Sequence, residues 1–161
     1  TMPTTETHWT AEMALALPDD GKRWEVLDGE LVEIPMPSIQ HQTVLGNLLV
    51  SLGAYVRANK LGWAMFSPSD IVLSPHRLVQ PDVFVIPAGP RGEPKQWSDI
   101  TRLLLAVEIS CPDTAHVDRV RKRKIYQGQG VNEYWIADLN AQLIERWRPE
   151  DVRPEIMSEE L

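Results

Sequence analysis

The sequence predicts an α/β domain of mixed α+β type, a mixed β-sheet flanked by helices with an N-terminal β-hairpin. Three observations predict it. Short β-prone runs are separated by Gly, Pro and Asp clusters, one long segment keeps the 3–4 spacing of a half-buried helix, and the two kinds of element mix without strict alternation. The chain of 161 residues is the length of one domain with one core, and it contains no internal repeat.

The elements follow in order. Residues 1–20 are polar, with a short helix expected from Thr10 to Leu17 and stopped at Pro18-Asp19-Asp20-Gly21. Arg23 to Leu27 and Leu31 to Ile34 flank Asp28-Gly29-Glu30, a strong hairpin signal. Pro35-Met36-Pro37 ends the second strand. A helix from Ile39 to Asn59 carries Val44, Leu45, Leu48, Leu49, Leu52, Tyr55 and Val56 as one buried stripe, with Ser38 as N-cap and Gly62 as C-terminal glycine. Strands are expected over Gly62 to Phe66, Asp70 to Leu73 and Asp82 to Ile86, the last entered from Pro81. A Pro/Gly-rich loop spans Pro87 to about Trp97. Arg102 to Ser110 reads as a central strand, apolar on both faces at first, ended by Pro112. A helix is expected from Thr114 to Gln127, closed by Gly128 and Gly130, and strands over Val131 to Asp138 and Gln142 to Trp147. The domain proper is thus residues 21–149, with an acidic tail over residues 150–161.

Composition narrows the function classes. Hydrophobic residues make up 43% and charged residues 24%, values of a folded soluble chain and not of a disordered one. The longest strongly apolar stretch, about Leu103 to Val107, falls far short of the ~20 residues that cross a bilayer. No secretory signal opens the sequence and Cys111 is the only cysteine, so a cytoplasmic location is expected and an internal disulfide is excluded. The net charge of −7 seems at first to argue against nucleic acid. The first 20 residues, however, hold four acids and no base, and residues 150–161 hold five acids and one base, so residues 21–149 carry 14 acids against 15 bases.

Three features have surroundings unsuited to a solvated charge. Glu108 lies in Leu103-Leu104-Leu105-Ala106-Val107-Glu108-Ile109, where alternation puts Ala106, Glu108 and Ser110 on one face. Burying an unpaired carboxylate is costly, so a partner is expected unless Glu108 marks the wet end of the strand. Asp82 opens an apolar strand, although a turn Asp after Pro would look the same. Asp118, Lys122 and Tyr126 stand at i, i+4 and i+8 in a helix whose residues Arg119, Arg121, Lys122, Arg123 and Lys124 are basic, a pattern equally typical of a solvated helix face. Together these suggest two carboxylates for a hard ion, Mg²⁺ or Mn²⁺, a lysine beside them, and a basic helix (Arg119, Arg121, Arg123, Lys124) for a phosphate backbone. That is the apparatus of metal-dependent phosphodiester hydrolysis.

The residues Trp24-Glu25-Val26-Leu27-Asp28-Gly29-Glu30-Leu31, His41, Gln80-Pro81-Asp82-Val83, Val107 to Thr114, the Asp118/Lys122/Tyr126 ladder and Gly130 to Asp138 recur in a familiar order and spacing. On them the sequence resembles the Uma-two family of the restriction-endonuclease-like PD-(D/E)xK superfamily, over residues 23 to about 147. The resemblance implies a restriction-endonuclease-like core with Asp82 and Glu108 as metal-binding carboxylates. Many relatives place the lysine two residues after the glutamate, which here is Ser110; the resemblance supplies it instead as Lys122 from the following helix. Glu25 and His41 are additional candidate site residues, and the Ile109 carbonyl a candidate third ligand. Family members usually continue with strand and helix after the position of Trp147, where this chain turns acidic.

Other chemistries find no support. Gly128-Gln129-Gly130 follows a helix and is no dinucleotide loop, and neither a P-loop nor a Gly-x-Ser-x-Gly elbow occurs. His8, His41, His76 and His116 lack structural zinc spacing, and Cys111 reads as a packing residue. Trp135 and Trp147 fall in strand patterns and read as core or interface. The expectation is a divalent-metal-dependent endonuclease acting on DNA, as a homodimer whose two copies cut two strands. The rivals are a non-catalytic binding or assembly module that keeps the fold, and a metal-dependent hydrolase of small phosphate esters.

Overall fold

Two sheets and a long helix account for most of the ordered elements in the computed structural model, which describes residues 8–110 and 118–157. The expected start of a helix at Thr114, together with Cys111, Pro112 and His116, lies outside the described residues, as does the side chain of Asp118. The elements are α1 (Ala11–Leu15), β1 (Arg23–Leu27), β2 (Glu30–Ile34), α2 (Ile39–Ala58), β3 (Gly62–Phe66), β4 (Ile71–Ser74), β5 (Arg77–Val79), β6 (Val83–Pro87), a 3-10 turn (Trp97–Asp99), β7 (Leu105–Ser110), a π-helical turn (Asp118–Lys122) continuing into α3 (Arg123–Gly128), β8 (Glu133–Asp138), β9 (Leu143–Trp147) and β10 (Glu155–Met157).

The first sheet is antiparallel in the order β2-β1-β5-β4. Its hairpin turns at Asp28 and Gly29, both at positive φ (49° and 86°), as a two-residue turn between right-twisted strands requires. The second sheet runs β10-β9-β8-β7-β6-β3, with β7 and β8 parallel and the other pairs antiparallel. This is the mixed sheet the sequence predicts. Strand alternation then sorts the core. Leu105, Val107 and Ile109 of β7 face Val44, Leu45 and Val56 of α2, while Ala106 faces Leu27, Val79 and Tyr126 in the layer between the two sheets and α3. Helix α1 packs Ala11 and Ala14 on Val26 and Leu78, against the outer face of the small sheet.

Helix α2 is capped at its start by Ser38, as the sequence predicts, its Oγ accepting the His41 N–H at 3.1 Å. Other local expectations are corrected. The C-terminal left-handed residue of α2 is Lys60 (φ 52°) and not Gly62: Lys60 N–H reaches Arg57 O and Leu61 N–H reaches Val56 O, a Schellman closure. Gly62 has another reason to be glycine. It opens β3 at φ 150°, where a Cβ would lie 1.8 Å from the Ile86 carbonyl oxygen. Tyr55 sits outside the α2 stripe and is exposed. Strand β5 has no counterpart in the sequence reading, because three residues between a Pro75-His76 turn and Gln80-Pro81 are too few to show a period. The acidic tail contributes β10, which extends the large sheet by pairing Glu155, Ile156 and Met157 with Arg146, Glu145 and Ile144.

Gly62→Ala is expected to cost about 3 kcal/mol, because backbone and not a flexible side chain blocks the methyl group. In a thermal melt this corresponds to a Tm lower by roughly 6–12 °C.

Candidate active site

Glu25 alternates with Val26 along β1, so its side chain shares the face of Leu27 and enters the layer between the sheets. Glu108 enters the same layer from β7, beside Ala106. Lys122, the last residue of the π-helical turn, reaches in from the third side: Nζ is 2.8 Å from Glu25 Oε1 and 3.4 Å from Glu108 Oε1. Glu25, Glu108 and Lys122 are 2%, 4% and 8% exposed, which makes this a buried charge cluster and not a surface pair. Two further donors hold the carboxylates. The Gln80 backbone N–H donates to Glu25 Oε2 at 2.9 Å, and the Tyr126 hydroxyl donates to Glu108 Oε1 at 3.0 Å. Burial, reinforced by the charges of Glu108 and Glu25, pushes the Tyr126 hydroxyl well above its ordinary value, so it keeps its proton and remains a donor.

Asp82 stands one residue before β6. It lies at a bend, and the β6–β7 ladder that follows it begins at Val83↔Val107. Asp82 Oδ2 accepts the Ile109 N–H at 2.7 Å, while Oδ1 lies 3.1 Å from His41 Nε2 on the first turn of α2. The other ring nitrogen of His41 is 3.0 Å from Gln42 Oε1, so both nitrogens face acceptor oxygens, an arrangement that suits the doubly protonated ring. Burial alone lowers His41, but the hydrogen bond and charge of Asp82 outweigh it and hold the ring above its usual 6.5.

The structure therefore brings together Glu25, Glu108 and Lys122 in one contact network, with Asp82 and His41 as a neighbouring pair joined to it through β7. Ile109 gives Asp82 its N–H while its side chain packs toward α2. The basic residues of the helix are disposed differently. Arg119 spans Asp138 and Glu145, with Nε 2.6 Å from Glu145 Oε2, and the hydrogen bond it donates to Glu145 raises its already high pKa further. Arg121 pairs with Glu30 at 2.9 Å, and the Arg123 guanidinium lies 4.6 Å from the centre of the Trp147 ring. Lys124 is exposed. Three of the four residues expected to hold a phosphate backbone thus also have partners within the chain. Gln80 was not singled out from the sequence, since its contribution to Glu25 is a backbone group. Among the described residues, no group of three His, Cys, Asp or Glu side chains gathers as an all-protein metal cage, and no helix is long and apolar enough to cross a membrane.

A family model described as "Uma2: Putative restriction endonuclease" matches residues 11–160. Among solved structures, the chain is similar to a "putative nuclease belonging to DUF820" from Anabaena variabilis ATCC 29413, with a TM-score of 0.76, 21% identity and coverage of 94% of this chain and 85% of that one. That likeness establishes the shared fold. A search of curated proteins returns no match.

Two outcomes follow from the geometry. Lys122→Met leaves two buried carboxylates without their cation and is expected to lose about 3–5 kcal/mol in urea unfolding, part of which Lys122→Met combined with Glu25→Gln restores. His41 has a folded pKa above its unfolded one, so its contact with Asp82 contributes stability fully below about pH 6.5 that is lost as pH rises through the folded value. An NMR titration of the metal-free protein should place the His41 midpoint above 6.5, and Asp82→Asn should bring it down.

Proposed function

The chain belongs to the Uma2 family of restriction-endonuclease-like proteins, and from that premise we propose that it is a divalent-metal-dependent endonuclease that hydrolyses DNA phosphodiester bonds. The observation that carries the reading is Lys122 held in a buried site between Glu25 and Glu108, with Asp82 bonded to the backbone of Ile109, the residue after Glu108. A salt bridge taken out of water at this cost is weak evidence for stability and better evidence for function.

The donor set fits a hard ion. Asp82, Glu25 and Glu108 against Lys122 leave a formal −2 among these side chains, reduced to −1 while His41 is doubly protonated, so a divalent cation neutralises the set once the ring gives up its proton. The atoms that would hold it are carboxylate oxygens of Asp82 and Glu108 with the Ile109 carbonyl, an all-oxygen set that suits Mg²⁺ or Mn²⁺ keeping several of its waters. Bound there, the ion would supply Lewis-acid stabilisation of the phosphate and lower the pKa of a water. Lys122 then places its ammonium where charge develops on the scissile phosphate or where the attacking water must be held. Glu25 and Tyr126 act as positioning residues, Glu25 by fixing the Lys122 ammonium and Tyr126 by fixing the Glu108 carboxylate. His41 orients Asp82 in the same way. DNA is the partner this reading needs, and a homodimer would set two such sites against two strands.

The test is nicking of supercoiled plasmid with Mg²⁺ or Mn²⁺ and with EDTA. Cleavage is expected only with the ion, and Asp82→Asn and Glu108→Gln, which keep shape while removing charge, should each lower it by a factor of about 10²–10³. Undiminished cleavage by Glu108→Gln would refute the assignment.

A further inference from the structure

Helix α2 lacks the charged face of an ordinary surface helix. From Ile39 to Val56 it contains no Asp, Glu, Lys or Arg, although the large sheet covers only one side of it. On the other side Ile39 and Val50 are 88% and 74% exposed. A helix between core and water turns charge outward, and one without charge belongs in an interior. We propose that the outer face of α2 is the contact between two copies of this chain, with the two helices antiparallel across a twofold axis level with Leu48.

The sequence of the outer face is regular. Ile39, Thr43, Gly46, Val50, Gly53 and Arg57 follow one another at alternating steps of four and three residues, the repeat of a helix–helix seam. None of the six is buried, and they run along the side away from the buried Val44, Leu45 and Val56. Two of them are glycines inside a helix, where glycine is the poorest residue after proline. A Cβ on Gly46 or on Gly53 would meet nothing within 4 Å among the described residues, so neither is small for the sake of packing within the chain. A bare backbone on an outer face admits close approach from outside.

The order of sizes along the seam selects a second copy as the occupant. Turned about a point level with Leu48, an antiparallel copy sets Val50 against the partner's Gly46, Thr43 against the partner's Gly53, and Ile39 beside the partner's Arg57. Each larger side chain then meets a glycine or an aliphatic stem, and symmetry makes every contact twice. Charge agrees. A twofold contact sets like near like, and Arg57, the one charge of the seam, lies at its far ends and never against itself. A 20-residue helix is about 30 Å long, so a strip about 10–12 Å wide covers roughly 300–360 Å² per copy, under half of the ~800 Å² of a standard interface. The dimer is therefore a weak one that forms with rising concentration. His41, which meets Asp82 from the inner side of the same helix, recurs about 21 Å along the pair. Only the use of those two sites on two strands rests on the endonuclease reading; the contact itself is measured without cleavage.

The experiment is sedimentation equilibrium of the full chain in EDTA, from about 1 to 500 µM. The mass should rise from the 18.3 kDa of one chain toward that of two, with half-association in the range of about 10–100 µM. Val50→Glu, which puts a charge beside the axis in each copy, should hold the protein at one chain throughout, with an unchanged thermal melt at the lowest concentration. Gly46→Ala combined with Gly53→Ala should do two opposite things: weaken association about tenfold or more, and raise the melting temperature of the single chain, since alanine is the better helix former. Glycines kept for packing inside the chain would lower it instead. A single chain at every concentration, which leaves this face to another protein or to none, overturns the proposal. So does a dimer unaffected by either change, which moves the contact to another surface such as the outer edge of β3. Plasmid nicking, present or absent, bears on the endonuclease reading and leaves these outcomes as they are.

Discussion

An ammonium group shut between two carboxylates, with almost no water, is the constraint on which this site depends. Glu25, Glu108 and Lys122 come from three separate layers: the small sheet, the large sheet and the helical segment after β7. Each charge has lost most of its hydration, a penalty of several kcal/mol per ion that only close opposite charge and further hydrogen bonds can offset. Tyr126 and the Gln80 N–H supply those bonds. In surroundings of low dielectric the whole network is strong only if complete. The spacing of the two sheets, the seating of the helix and the readiness of the site are therefore one structural fact. The segment that carries Lys122 is a π-helical turn, wider than an α-turn and frequent at functional sites, and it runs directly into α3, so that Lys122 and, one turn on, Tyr126 reach the same Glu108 oxygen.

Charge outside that network follows a different logic. The run from Arg119 to Lys124 looks in the sequence like a strip made for phosphates. In the fold Arg119, Arg121 and Arg123 are tied to Asp138 and Glu145, to Glu30, and to Trp147, so much of their positive charge is spent inside the chain. The Asp138 end of the Arg119 bridge is itself well held: burial would raise its carboxyl, but the Ala141 N–H, Arg119 and the Asn140 N–H together bring it below the ordinary value. With residues 21–149 near neutrality and the excess acid at the two ends, general attraction to a polyanion is modest.

What the sequence made legible was whatever repeats over a short range. The Asp-Gly hairpin, the length of α2, its Ser38 cap and the parity that puts Glu108 with Ala106 all follow from spacing and turn chemistry, and all are present. Parity left open whether Glu108 was a wet strand end; in the fold it is buried and bonded. Illegible features are those set by contact between distant segments. Nothing near Gly62 announces the Ile86 carbonyl, and nothing in Arg119 announces Glu145. Strands β5 and β10 are three residues each, too short to carry a period, and exist because a neighbouring edge was available to pair with. Lys122 could be placed on a helix from sequence, but its bond to Glu25 required the two sheets to be stacked.

Gln80 illustrates why such contacts matter more than their number. Its side chain reads as an ordinary polar residue before Pro81, and its backbone N–H as one more ladder group. In the fold the N–H serves a buried carboxylate of the cluster while the side-chain amide reaches Asp70 and the Trp24 carbonyl, with Arg23 3.5 Å from its oxygen. Glu25 in turn fixes Lys122. The end of β5 and the buried ammonium are thus linked through a single backbone bond, so a shift of Gln80 carries through Glu25 to Lys122, and a small displacement of a positioned group is costly wherever a reaction depends on it.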